Sequence, residues 1–274
     1  MLCRVLRVSR SGYYAWARRL EQPSPRARSD RRLLEEIREI HARFAYYGSP
    51  RVHRELLARD HHVGRHRVAR LMRLHGITAA RCKIKSRPRA APPSRRPEVV
   101  DLVRRRFATE APDTLWFTDV TQIRTGEGWL WAAVVLDAFN REVVSWATAP
   151  RETPGTVLVA LTDAVRIRRP APGCVIHSDR GYQFTAWDWL NTAAAARLRV
   201  SIGERKSCYD NAVMESWFAS FKNEEIYPKG TPFTRVEARQ RMFSYIWNYN
   251  NERLHSSLGY VAPRAYAASS SSCP

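Results

Sequence analysis

The segment Leu115-Trp-Phe-Thr-Asp-Val-Thr-Gln-Ile123 decides the fold class of this chain. Its apolar and β-branched residues predict a strand, with Asp119 in the middle of it. An ionised carboxylate inside an apolar strand is costly to desolvate unless positive charge compensates it, and a metal ion is one such compensator. A lone strand aspartate is more often a structural hydrogen-bonding group, so its role depends on the rest of the chain.

The pattern after this strand predicts a mixed sheet. Two more strands are expected at 129–136 and 142–147, with the turn signal Asp137-Ala-Phe-Asn140 between them, in which Asp137 is interpreted as a turn former. The three strands form an antiparallel meander. Beyond them the pattern predicts a helix at 153–168, a strand at 174–177, a helix at 185–196, a strand at 199–202 and closing helices at 211–226 and 235–250. This order is expected of an α/β fold with a ribonuclease H-like, mixed five-stranded sheet and flanking helices.

Before the sheet, helical spacing of apolar residues predicts three short helices at 31–44, 51–60 and 65–75. Their many arginines favour a small all-α helix-turn-helix domain that binds DNA, while a charged helical hairpin that supports the next domain is the alternative. The predicted organisation is an N-terminal basic segment at 1–30, the helical domain at 31–80, a basic Pro-rich linker at 81–100, a catalytic core with C-terminal helices at 101–268 and a disordered tail at 269–274.

The charge of the chain indicates a polyanionic partner. Its 274 residues include 46 Lys and Arg against 26 Asp and Glu, a net charge of +20, and the first 100 residues alone carry 25 basic and 8 acidic side chains. Nucleic acid fits this distribution better than a membrane surface, because the arginines do not lie opposite one continuous apolar face. Five scattered cysteines and the lack of a long apolar run predict free thiols and a cytoplasmic protein.

Three carboxylates are expected to converge at one edge of the sheet. Asp179 follows the strand predicted before it, and Glu215 lies one turn into a helix whose start is marked by Asp210-Asn211. Together with Asp119 they form an oxygen-only donor set, which favours two Mg²⁺ or Mn²⁺ ions and phosphodiester chemistry. Lys222 lies seven residues after Glu215, on the same helical face, and is expected to hold a DNA phosphate.

Four segments carry a resemblance to a known family. The first three resemble the blocks of the acidic-triad (DDE) integrase core of retroviral integrases and bacterial transposases: Trp116-Phe-Thr-Asp-Val-Thr121, His177-Ser-Asp-Arg-Gly-Tyr-Gln183 and Tyr209-Asp-Asn-Ala-Val-Met-Glu215. The closing segment Tyr249-Asn-Asn-Glu-Arg-Leu-His-Ser-Ser-Leu-Gly-Tyr260 is similar to the end of the second-frame transposase product of the insertion-sequence-three family. The segments Ser9–Tyr14 and Tyr47–Leu56 also resemble that family, although Gly48-Ser49-Pro50 and Glu204-Arg-Lys-Ser207 depart from its pattern.

This resemblance implies a transposase with Asp119, Asp179 and Glu215 as its catalytic and metal-binding triad. It implies cleavage at an element end and attack of the freed 3′-hydroxyl on another phosphodiester. The expected DNA partners are the terminal inverted repeats of the element and the target DNA, on which the protein is expected to form a homo-oligomer. A further expected partner is the upstream-frame helix-turn-helix product, either separate or as a fusion. The expected location is the bacterial cytoplasm, in association with the nucleoid. A nuclease without strand transfer and a catalytically inactive DNA-binding regulator are the alternative functions.

The remaining candidates are weighed against structural roles. DNA contacts are predicted for Lys222, Lys206, Arg180, Arg51, Arg54, Arg65, Arg67 and Arg70. His177 is interpreted equally as a water-orienting group and as a structural one, and Glu224 as a surface charge or an arginine partner. Arg253 is expected either to contact DNA or to close the final helix onto the core. Helical spacing favours core positions for Trp187, Trp189, Trp217 and Trp247, and His61, His62 and His66 with Cys82 lack zinc-finger spacing.

Overall fold

The structure is a computed structural model that describes residues 9–22, 24–80, 100–203 and 211–270. The chain divides into two compact units, Met1–Ala80 and Arg81–Pro274. In the described part of the chain, no helix is long and apolar enough to cross a membrane.

The first unit is helical throughout its regular structure. Its helices in the described residues are α1 Arg10–Glu21, α2 Pro25–Arg43, α3 Ser49–Ala58 and α4 Arg65–Leu74. The last three pack around fully buried side chains, namely Ile37, Ile40, Val52, Leu56 and Val68. This confirms the helical domain that the sequence predicts.

The helix boundaries differ from the predicted ones for local reasons. The sequence prediction misses α1, where Tyr13, Tyr14 and Trp16 are all exposed, so no buried stripe marks the helix. The second helix begins six residues before its predicted start, because the Ser24 hydroxyl accepts a hydrogen bond from the Ala27 N–H and Pro25 occupies the first turn. Helix α3 begins at Ser49, two residues before its predicted start, and Pro50 is accommodated in its first turn.

The second unit is built on a five-stranded mixed sheet, as the sequence predicts. Its strands are β1 Leu115–Thr125, β2 Gly128–Asp137, β3 Val143–Ala149, β4 Val175–Ser178 and β5 Arg199–Ile202. The spatial order is β3-β2-β1-β4-β5. The first three strands form the predicted antiparallel meander, whereas β4 lies parallel to β1 and β5 parallel to β4.

Alternate residues of β1 face two different cores. Phe117 joins one cluster with Trp217 and Tyr245, and Trp116 joins the other with Ala160 and Trp189. The longer α-helices in the described part of this unit are α5 Pro154–Arg168, α6 Trp187–Ala195, α7 Ala212–Phe221, α8 Arg235–Asn251 and α9 Pro263–Ser270. Helices α7 and α8 therefore cover one face of the sheet, and α5 and α6 cover the other.

Two helical segments near the end of the chain differ from prediction. The expected helix at 211–226 is α-helical only to Phe221 and then becomes a π-helix over Lys222–Ile226. Helix α9 continues through Ser270, so the first two residues of the predicted disordered tail are helical, while 271–274 lie outside the described residues.

Candidate active site

Asp119 lies within β1, and Asp179 directly follows the parallel neighbouring strand β4. β1 and β4 are aligned with Phe117 opposite His177, a separation of 60 positions. Asp119 and Asp179 are also 60 positions apart, so the same register, continued by two residues, sets Asp179 beside Asp119 just past the end of β4. Since strand residues two apart share a face, both carboxylates are in phase with Phe117 and His177.

Glu215 is brought to this edge by α7. Its backbone N–H donates to the Asn211 carbonyl at 3.1 Å in the first turn of the helix. The Asn211 side chain donates in turn to the Thr118 carbonyl at 3.3 Å, which ties the start of α7 to the strand residue that precedes Asp119. The neighbouring Met214 is fully buried, whereas Glu215 itself is exposed. Its carboxylate therefore stands at the surface beside β1.

Burial raises the pKa of all three carboxyl groups, and repulsion by a neighbouring carboxylate adds to this for Asp119 and Glu215. Burial is the largest cause for each of Asp119, Asp179 and Glu215. Next, the charge of Asp179 raises the pKa of Asp119, and the charge of Glu215 adds to it in spite of a hydrogen bond from the Val120 N–H. The charge of Asp179 also raises the pKa of Glu215. The charge of Asp179 thus acts on both Asp119 and Glu215, which links the three carboxyl groups electrostatically.

Lys222 adds a positive charge to this cluster. The side chain is half-buried, and burial lowers its pKa while the charge of Asp119 opposes that shift. In return, the ammonium of Lys222 lowers the pKa of Asp119. The charges of Asp179, Glu215 and Lys222 therefore all act on the Asp119 carboxyl group.

Comparisons with known proteins identify the family. The description "Integrase core domain" matches residues 109–208 and again 196–263, and "HTH-like domain" matches residues 28–85. The chain is 34% identical over 272 residues to the transposase InsF for insertion sequence IS3A of Escherichia coli (strain K12), covering 97% of this chain and 92% of that protein. The chain belongs to the IS3 family of transposases. It is also 37% identical over 273 residues to the insertion element IS600 uncharacterized 31 kDa protein of Shigella sonnei, covering 97% of each.

Solved structures give weaker similarity to this transposase. The HTLV-2 integrase catalytic core domain in complex with magnesium is 17% identical, with a TM-score of 0.43, over 54% of this chain and 92% of that one. The catalytic core domain of BIV integrase is 20% identical, with a TM-score of 0.45, over 58% of this chain and 96% of that one. The fold assignment therefore depends on the strand order and the family match.

The carboxylates of this transposase fit a hard divalent cation by their chemistry. Asp119, Asp179 and Glu215 offer only oxygen donors, and their raised pKa values reflect a cost of ionisation that a bound cation would offset. Within the described ranges, no three His, Cys, Asp or Glu side chains are gathered closely enough to make a complete metal site. The structure thus shows a suitable donor set, and integrase-type cores of this family generally use divalent metals.

Arg180, a predicted DNA contact, directly follows Asp179 in the sequence. Arg180 is half-buried, and its Nε donates to the Gly203 carbonyl at 2.8 Å, an interaction that holds the loop after Asp179 to the end of β5. Lys206 lies outside the described residues, as does Asp210, the residue expected to cap α7. Asn211 occupies the N-cap position of that helix instead.

The five predicted DNA contacts of the helical unit have different surroundings. Arg54 and Arg65 are exposed, and the Arg51 guanidinium lies 5.5 Å from the ring centre of Tyr47. Arg67 and Arg70 both form ion pairs with Asp30 at 2.6 Å. These last two arginines therefore also connect α4 to α2, a structural function that local sequence does not reveal.

His177 is surrounded by buried polar partners. It is fully buried, its Nδ1 lies 2.8 Å from the Ser201 hydroxyl, and the Asp101 carboxylate is 3.9 Å away. Ser201 also accepts a hydrogen bond from the Leu102 N–H at 2.9 Å. These contacts favour the structural interpretation, and the sequence carried no signal for Asp101 because it lies far from His177 along the chain.

The predictions for Glu224, Arg253 and the helical tryptophans have mixed outcomes. Glu224 forms a buried ion pair with Arg253, which is only 3% exposed. Arg253 therefore holds the segment after α8 against the core. Trp189 and Trp217 are core residues as expected. The expectation is wrong for Trp187 and Trp247, which are 71% and 52% exposed, because helical spacing does not tell which face of a helix finds a partner.

Proposed function

We propose that this transposase cuts DNA at the ends of a mobile element and joins the freed 3′-hydroxyl to target DNA, with Asp119, Asp179 and Glu215 as its catalytic carboxylates. The observation that supports this assignment is the parallel pairing of Phe117 with His177, because the same register continued by two residues leads to Asp119 and Asp179. The hydrogen bond from Asn211 to the strand brings the third acid to the same edge.

The side chains of the cluster have separate tasks in this proposal. Asp119, Asp179 and Glu215 would hold two Mg²⁺ or Mn²⁺ ions, which when bound activate the attacking oxygen and stabilise the leaving oxygen of a phosphodiester. Asp119 offers the most rigid ligand because it lies within a strand paired on both sides. Lys222 attracts a phosphate oxygen of the DNA, since its ammonium stands beside the acids and is only half-buried.

The helical domain at 31–80 is proposed to bind the terminal inverted repeats of the element. Helices α3 and α4 form its helix-turn-helix, and exposed Arg65 lies at the first residue of α4, where a recognition helix commonly meets DNA. Arg51 and Arg54 on α3, and the outer parts of Arg67 and Arg70, supply further phosphate contacts. The segments at 1–30 and 81–100 add further basic residues before and after this domain in the sequence.

The active assembly is proposed to be a homo-oligomer on DNA, working with the upstream-frame product or as a fusion with it at the bacterial nucleoid. The InsF relatives are named transposases of insertion sequences, which supports an element end as the substrate. The core at 101–268 is the catalytic part of this assembly.

The test compares carboxamide variants of the acids with a matched control. Asp119→Asn, Asp179→Asn and Glu215→Gln preserve side-chain size and remove a metal-binding charge. Each should abolish joining of a pre-cut, labelled terminal-repeat duplex to a target plasmid, while fluorescence anisotropy shows DNA binding close to that of the parent. Asp163→Asn, on the outer side of α5 with a partly exposed carboxylate, should retain full joining.

Three results separate the proposal from its alternatives. Full joining by any triad variant would overturn the assignment of that residue. Hydrolysis of the duplex without joined product in the parent protein would indicate a nuclease, and binding without either reaction would indicate a regulator.

A further inference from the structure

The helix that carries Glu215 changes geometry at Lys222. The π-helical turn spans Lys222–Ile226, and the Tyr227 N–H donates to the Lys222 carbonyl five residues earlier. Turns of this kind are rare and often accompany functional sites, because they widen the helix by one residue and re-aim the side chains around it. Lys222 supplies the acceptor that closes the wide turn, so its orientation is coupled to whether the turn forms.

Glu224, in the middle of this turn, is held by three hydrogen bonds. Arg253 Nε donates to its Oε2 at 2.8 Å and Arg253 Nη2 to its Oε1 at 2.5 Å, a bidentate ion pair. The Tyr245 hydroxyl donates to Oε2 at 2.9 Å. Both partners lie in the segment that begins with α8, outside the π turn, so the turn is fastened from a separate part of the core.

Arg253 is placed where it cannot itself contact DNA. The residue is 3% exposed, and its guanidinium also lies 5.5 Å from the ring centre of Tyr249. The neighbouring acid of the same turn, Glu225, pairs instead with Lys229, whose side chain is 58% exposed. A buried bidentate pair fixes geometry more strictly than a surface pair, because its two parallel hydrogen bonds set the orientation of both groups and water does not compete for them.

We propose that Arg253 is a positioning residue for strand transfer: its ion pair with Glu224 fixes the π-helical turn and thereby holds the Lys222 ammonium beside Asp119, ready for a DNA phosphate. The inference rests on the proposed function, since it assigns the effect of Arg253 to Lys222. It explains why a buried arginine near the end of the chain matters to a site formed by β1, β4 and α7.

The test uses the full chain and a labelled duplex of the terminal repeat. Arg253→Met removes the charge at similar volume, and Lys222→Ala removes the contact that Arg253 is proposed to position. Glu225→Gln is the matched control from the same turn, and Arg253→Lys tests whether a single donor to Glu224 restores part of the function. Tyr245→Phe and Glu224→Gln weaken the Glu224–Arg253 pair more mildly. They replace Arg253→Met in the test if a thermal unfolding measurement shows that the Arg253→Met protein does not fold.

Two readouts distinguish positioning from general stability. Arg253→Met should slow strand transfer about 10- to 100-fold, as expected when a group that orients a ligand-contacting side chain is lost. The slope of log binding constant against log salt should become shallower by about 0.9, the effect of losing one phosphate contact. Lys222→Ala should give the same salt slope as Arg253→Met. The double variant Lys222→Ala with Arg253→Met should transfer strands no more slowly than Lys222→Ala alone. Glu225→Gln should match the parent in both rate and slope.

An unchanged salt slope in the Arg253 and Glu224 variants, or rate losses that multiply in the double variant, would overturn the inference. If Lys222→Ala keeps full activity while Asp119→Asn has none, the positioning role fails and the proposed function stands. If Asp119→Asn remains active, the proposed function itself fails.

Discussion

Arg67 donates from Nε to the Asp30 Oδ1 at 2.6 Å, across 37 positions of sequence. Arg70 donates to the other oxygen of the same carboxylate at 2.6 Å. One aspartate on α2 therefore holds two arginines of α4, the helix proposed to meet DNA. This arrangement limits the conformations of both arginine side chains before any DNA is bound.

Replacing Asp30 by Asn should loosen α4 and make the stability of the helical unit less dependent on acid. Burial raises the pKa of Asp30, but the hydrogen bonds from Arg70 and Arg67 outweigh it, so the pKa lies below its ordinary value of 3.8. A lowered folded-state pKa contributes stability above the unfolded value, and that contribution is lost as pH falls through the folded pKa. The cost at pH 7 should be about 1 kcal/mol, because the arginines are partly exposed.

Hydrogen exchange of the α2 and α4 amides in the full chain measures this effect. The difference in amide protection between the parent and Asp30→Asn should become smaller below pH 3.8, where the parent carboxylate takes up a proton. Glu35→Gln, an exposed position on the same helix, is the control. A gap that stays constant with pH would contradict the role of the ion pairs.

Asn250→Ala should destabilise the catalytic unit strongly. Asn250 is buried, and its side chain accepts from the Val143 N–H and donates to the Val143 carbonyl, both at 2.9 Å. Alanine leaves two buried backbone groups unpaired, at a cost of about 2–4 kcal/mol. Urea denaturation followed by tryptophan fluorescence gives the loss, and Asn251→Ala, at a less buried position next to it, should lose much less. Equal losses in the two variants would rule out this explanation.

Asp137 should make the catalytic unit less stable as pH rises from 4 to 6. Burial is the largest cause that raises its pKa, to about 6, even though the Asp113 and Phe139 N–H groups donate to the carboxylate. Because the folded-state pKa lies above the unfolded value of 3.8, the contribution is present below 3.8 and is lost as pH rises through 6. The change should be at most about 3 kcal/mol.

Urea denaturation at several pH values should show that the free energy of unfolding falls less between pH 4 and 6 in Asp137→Asn than in the parent, because asparagine does not ionise. Parallel pH dependences in the parent and the variant would show that the Asp137 carboxyl does not titrate in this range.

Arg65→Ala should weaken DNA binding evenly across sequences and reduce its salt dependence. Arg65 is exposed at the first residue of α4, and loss of one phosphate contact should change the salt slope by about 0.9. Anisotropy titrations with the terminal-repeat duplex at several salt concentrations give the slope. Arg166→Ala, exposed on α5 of the other unit, should leave it unchanged. An unaltered slope in Arg65→Ala would place the DNA contact elsewhere.

The sequence predicted the features that depend on local patterns. The apolar and β-branched run around Asp119 identified β1 to within two residues of its observed end, because strand formation depends on side chains that lie close together in sequence. Helix α1 was missed because its aromatic residues are exposed and leave no buried stripe for a local pattern to show. The separate fates of Trp187 and Trp189 show that spacing identifies a helix but not the side of it that packs.

The sequence by itself determined the order of the five strands along the chain, the basic N-terminal part and the three acids whose spacing marks the family. Only the tertiary structure decided the partners of the charged groups: Asp30 with Arg67 and Arg70, and Glu224 with Arg253. Local propensity and hydrophobic periodicity act over a few residues and can be read from the chain. An ion pair between residues 29 or 37 positions apart depends on how whole helices pack, and packing is a property of the folded chain.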